Sequence, residues 1–113
     1  MLGIKVTILR YVSDDPQPGI VECQFEDAYG RLWSFVEKTA IVSAKHLDAQ
    51  TVYPQLGVVA VEVISRNLDA NGREVIKIDT ERPWGVESIE GVTRFEILPE
   101  LLVEWEPLRS NPH

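Results

Sequence analysis

Val58-Val59-Ala60-Val61-Glu62-Val63-Ile64-Ser65-Arg66, then Asp69-Ala70-Asn71-Gly72, then Glu74-Val75-Ile76-Lys77-Ile78 decides the fold class. Val59, Val61 and Val63 point one way in an extended chain, because side chains alternate between the faces of a strand. Asn71-Gly72 accepts the left-handed backbone that a tight hairpin turn needs, so Val58–Thr80 reads as a β-hairpin.

The same rhythm recurs on both sides of this hairpin. Ile4, Val6 and Ile8 alternate with Lys5, Thr7 and Leu9 until the turn-forming run Ser13-Asp14-Asp15-Pro16-Gln17-Pro18-Gly19. Val21, Cys23 and Phe25 face inward from Ile20–Glu26, and Gly30 supplies the positive φ for a turn into Arg31–Lys38. That returning segment has apolar residues on both faces, which predicts a central or partly covered strand. Beyond Lys38, Ala40-Ile41-Val42 are expected to run on as a short strand, followed around residues 43–50 by at most one helical turn, capped by Ser43, or by an irregular loop. Val92–Leu98 and residues 101–106 complete a set of seven strands.

No long amphipathic helix competes with this pattern. The expected fold is a small single-domain antiparallel β-barrel over residues 1–106, or alternatively a β-sandwich, followed by a polar, proline-bearing tail at residues 107–113. A chain of 113 residues buries enough surface to fold around one core without a disulfide or metal.

Composition bounds the chemistry. Eighteen acidic residues against eleven basic ones give a formal charge of −7, which opposes binding to nucleic acid because phosphate contacts require cations. No apolar stretch is long enough to cross a bilayer, and no leader-like segment opens the chain, so the cytoplasm is the default location. The single Cys23 rules out an intrachain disulfide and lies on an inward strand face, where a thiol behaves as a small hydrophobe. His46 and Asp48 stand two apart with no second histidine nearby, so neither a metal site nor a cofactor is expected. No serine elbow, phosphate-cradling glycine loop or cysteine–histidine arrangement appears, and no residue is assigned a catalytic role.

The candidate binding residues are aromatic. The loop Glu81–Gly91 gathers Arg82, Trp84 and Gly85 in a connection longer than most, and Trp and Arg dominate interface energetics. Trp84 there serves either as a lid over one end of the barrel or as a binding anchor. Tyr29 and Trp33, beside the first hairpin turn, form a second aromatic patch that cross-strand packing also explains.

The expected function is that of a small acidic module that binds another protein. Its sharper form is an inhibitor or immunity-type protein, whose carboxylates cover a basic nuclease site and whose association slows with added salt. The competing expectation is a small-molecule-binding or enzymatic barrel with a cavity under the 81–91 loop. A homodimer through an exposed edge strand, Ile4–Val12 or Leu101–Trp105, is also compatible with the sequence.

Overall fold

A computed structural model describes residues 1–105. The fold is all-β. Its strands are β1 (Leu2–Ser13), β2 (Ile20–Glu26), β3 (Leu32–Lys38), β4 (Gln55–Ala60), β5 (Glu62–Leu68), β6 (Glu74–Asp79), β7 (Arg94–Ile97) and β8 (Leu102–Glu104). A four-residue helix α1 (Thr39–Val42) and a 3₁₀ turn (Pro99–Leu101) are the helical pieces among the described residues. The predicted tail at residues 107–113 lies outside the described residues, as does residue 106.

Two antiparallel sheets share the core. One runs β3-β2-β1-β4, with β8 also pairing β1; the other runs β5-β6-β7. The run expected as one strand over Val58–Arg66 is divided at Val61, which is why eight strands appear and not seven. Val61 is buried, and its amide donates to the Leu2 carbonyl at 3.0 Å, so one length of chain leaves the first sheet and enters the second. On the opposite side, Ala28 donates to the Glu96 carbonyl at 2.8 Å and Ile89 to the Ser34 carbonyl at 2.9 Å. The architecture therefore combines a sandwich's two sheets with a barrel's shared corner strand and stitched seam.

Alternation produced the core. Ile4, Val6, Ile8, Val21, Cys23, Phe25, Phe35 and Val59 form the inner face of the first sheet, and Ile76, Ile78, Phe95 and Ile97 of the second fill the space opposite. Phe95 stands edge-on to Phe25, Phe35 and Trp33, with ring centroids 5.0 to 5.9 Å apart, the arrangement that aromatic quadrupoles favour.

Three expectations require correction. Strand β3 lies at the edge of its sheet, not at its centre, and its outer residues Leu32 and Val36 are exposed. Strand β1 lies inside its sheet over residues 3–8, flanked by β4 on one side and by β2 and β8 on the other, so that half is no open edge, while beyond Ile8 it pairs with β2 alone. The short strand expected at Ala40-Ile41-Val42 is instead part of the helical turn Thr39–Val42, and of the two alternatives for residues 43–50, one helical turn or an irregular loop, the structure has the loop. The reason is tertiary. The Thr39 amide is held by the Gly19 carbonyl at 2.9 Å, and Gly57 on β4 leaves room for the Val42 carbonyl, which a Cβ there would approach to 2.8 Å.

Candidate functional site

The end of the molecule beyond α1 carries an open cleft of about 500 Å³. Its aromatic wall is Trp84 standing edge-to-face on Trp105, with centroids 5.8 Å apart and planes at 89°. Thr39, Ala40, Ser43, Ala44, Lys45 and His46 also line the cleft, together with Pro18. A second hollow, about 450 Å³, lies on the outer face of β1, β4 and β8 and is lined by Leu56, Val58, Val103 and Lys5. Ser43, Ala44, Lys45 and Trp105 line both hollows.

Local bonding holds the walls in place. Thr80 is fully buried and donates its hydroxyl to the Val86 carbonyl at 2.6 Å, while the Val86 amide donates to the Thr80 carbonyl at 3.1 Å. Gly85, at φ +68°, closes the turn by donating to the Glu81 carbonyl at 2.6 Å. Buried Ser88 ties the far side of the loop through the Val92 amide and carbonyl. The 81–91 loop is thus an anchored platform for Trp84. Trp105 follows β8, and its indole lies over Gly3, where an added Cβ would come within 2.5 Å of Nε1. That nitrogen is buried and has no acceptor among the described residues.

The residues singled out in the sequence divide into separate places. Trp84 lines the cleft, and Gly85 supports its turn. Arg82 is exposed and lies outside the cleft lining. Tyr29 and Trp33 lie at the other end of β3. Trp33 is buried, donates to Asp27 Oδ2 at 2.9 Å and carries the Arg31 guanidinium 3.7 Å above its ring. Tyr29 is exposed and donates to the Glu96 carboxylate, which raises the phenol's pKa. The sequence marks none of Trp105, Lys45 and Ser43 as a binding residue. Small residues flanking a lysine in Ser43-Ala44-Lys45-His46 were the available signal.

The titratable groups define what the site can do. His46 Nε2 lies 3.3 Å from Asp48 on the exposed loop. Asp48 is held below the usual carboxylate range, first by the Gln50 amide and then by the Thr51 hydroxyl and His46. Cys23 is buried, and desolvation with nearby Glu37 and Glu22 pushes its thiol up to about 12, so it is a poor nucleophile. Among the described residues, no group of three or more His, Cys, Asp or Glu side chains could hold a metal, and no helix is long and apolar enough to cross a membrane. The cleft offers aromatic surface, hydroxyls and one cation, Lys45, a combination suited to binding. No family model, curated protein or solved structure matches the chain.

Proposed function

We propose that the protein is a protein-binding module whose contact site is the Trp84–Trp105 cleft. The observation that supports this most is the pair of crossed indoles, half-buried along an open cleft, with Trp84 carried on a loop fixed by buried Thr80 and Ser88. Preformed, partly exposed tryptophans lose little side-chain entropy on binding and are the residue type most often found at binding hot spots. Panning displayed peptides on the full chain and on Trp84→Ala tests the idea. Peptides retained by the former and lost by the latter support it; identical enrichment on both, or none on either, overturns it.

A specific observation favours a second use of the same cleft. Its volume of about 500 Å³ falls within the range of small-ligand sites, and Thr39, Ser43 and Lys45 supply polar contacts. Small molecules that raise the melting temperature of the native protein but not of Trp84→Ala would support ligand binding. The inhibitor form of the protein-binding proposal draws on a different surface. Glu22 and Glu26 stand opposite exposed Val36 and Leu32 on the outer face of β2 and β3. Association with a basic partner that slows steeply with salt would support it.

A further inference from the structure

We propose that the Trp84–Trp105 cleft and the adjoining hollow on β1, β4 and β8 together hold one extended partner segment, in which apolar side chains are interspersed with carboxylates. This rests on the protein-binding proposal above and adds the partner's path and chemistry.

The path follows from shared walls. Trp105 and Ser43-Ala44-Lys45 line both hollows, so a chain seated on Trp84 passes over Trp105 onto the outer face of β4. The landing surface there is apolar. Leu56 is 84% exposed on a strand, and Val58 and Val103 lie beside it. Gly3 completes the surface, because without a side chain it lets the Trp105 indole lie against β1.

The chemistry follows from charge. The chain carries a net −7, yet Lys45 lines both hollows and Lys5 lines the second. Neither lysine makes an ion pair with a described residue. The carboxylate in the second hollow, Glu104, accepts from the Met1 amino group at 2.6 Å. The groove is thus a local reversal of the protein's sign. A basic segment would meet like charge there, whereas an acidic one finds cations beside apolar footholds.

The test uses the full chain and a displayed library of random peptides of roughly ten residues, each spanning at most about 35 Å when extended. Synthetic copies of the enriched peptides are then titrated, using tryptophan fluorescence or a label on the peptide. The expected peptides alternate apolar residues with Asp or Glu. Lys45→Glu and Lys5→Glu, both at exposed positions, each weaken them by about tenfold, the loss of roughly one charge pair. Replacing the matching peptide carboxylate by lysine restores binding to Lys45→Glu. If enriched peptides need Trp84 but are neutral or basic and bind Lys45→Glu as well as the native protein, the acidic segment is wrong and the protein-binding proposal stands. If no enriched peptide depends on Trp84, both fall.

Discussion

The β2–β3 hairpin ends in two unlike ways. At its turn, Asp27-Ala28-Tyr29-Gly30-Arg31, the polar groups find partners. Asp27 accepts from the amides of Tyr29 and Arg31 with one oxygen and from the Trp33 indole with the other, and the Asp27 amide donates to the Arg31 carbonyl at 2.9 Å. At its other end β3 runs into α1, where the cleft presents the half-buried Trp84–Trp105 pair and the exposed Lys45. The β5–β6 turn, Asp69-Ala70-Asn71-Gly72-Arg73, repeats the bonds that the backbone amides make within the first turn, with Asp69 accepting from the Asn71 and Arg73 amides. The two turns sit side by side, with the Arg73 guanidinium 6.0 Å from the Tyr29 ring. One end of the molecule is internally satisfied and stabilises the fold. The other leaves Lys45 without an ion-pair partner among the described residues, and there the proposed contact site lies.

Gly57→Ala should disturb the cleft end most. The new methyl would lie 2.8 Å from the Val42 carbonyl oxygen and 2.9 Å from Ile8 Cδ1, and a backbone oxygen cannot rotate away. Displacing α1 should cost about 3 kcal/mol in urea unfolding and change the tryptophan fluorescence, while the amide signals of both hairpin turns stay in place. Unchanged stability would show that α1 is not seated by that glycine.

Asp27→Ala comes next, because it removes the acceptor of a buried indole as well as the turn's two amide bonds. A loss of about 2 kcal/mol is expected. Asp69→Ala should cost less. Its second oxygen serves the Arg73 side chain at 2.9 Å, and that partner is exposed and can turn to water. Equal losses would mean that the indole contact adds nothing to the shared turn.

Gly30→Ala and Gly72→Ala probe what the turns have in common. Their φ values are +85° and +78°, and no atom crowds either position. Each substitution should therefore cost only the left-handed backbone penalty, about 1 kcal/mol, and the two should match in chemical denaturation.

Both turns were legible in the sequence, because Gly30 and Gly72 each mark a residue that must go left-handed beside an aspartate able to cap its own turn. The inner strand faces were equally legible, since burial on one face imposes the period-two pattern of Ile4, Val6 and Ile8. What the pattern could not carry was tertiary. Nothing in Ala60-Val61-Glu62 marks the point where the chain changes sheets, because Val61 keeps the alternation and only the Leu2 carbonyl shows the corner. Thr39-Ala40-Ile41-Val42 is rich in β-branched residues, yet Gly19 and Gly57 hold it as a helical turn. The cleft was half-legible. Trp84 stood out in its loop, but its pairing with Trp105 depends on how β8 returns along β1.

The smallest expected effect separates the two ends of β3 by their acids. Burial pushes the Asp27 carboxyl up, but the Trp33 indole, the Arg31 and Tyr29 amides and the Arg31 charge outweigh it and hold the group below its ordinary value. Glu37, opposite buried Val21 near the cleft end, is raised by burial, and the Lys38 amide and charge only partly offset this. The two acids therefore act in opposite directions. A depressed folded value means Asp27 adds stability above the ordinary aspartate range, and that stability is lost as pH falls through the depressed value. A raised folded value means the native state takes up the Glu37 proton first, so stability rises as pH falls through the raised value toward the ordinary glutamate range. Urea midpoints measured against pH should therefore rise slightly on mild acidification before falling in stronger acid. Glu37→Gln should abolish the rise and leave the protein somewhat more stable at neutral pH. Asp27→Asn should leave the rise and weaken the fall. A midpoint that only declines below neutrality in the native protein, and is unchanged by Glu37→Gln, would show that Glu37 is solvated as well as any surface acid and that the two ends do not differ in this respect.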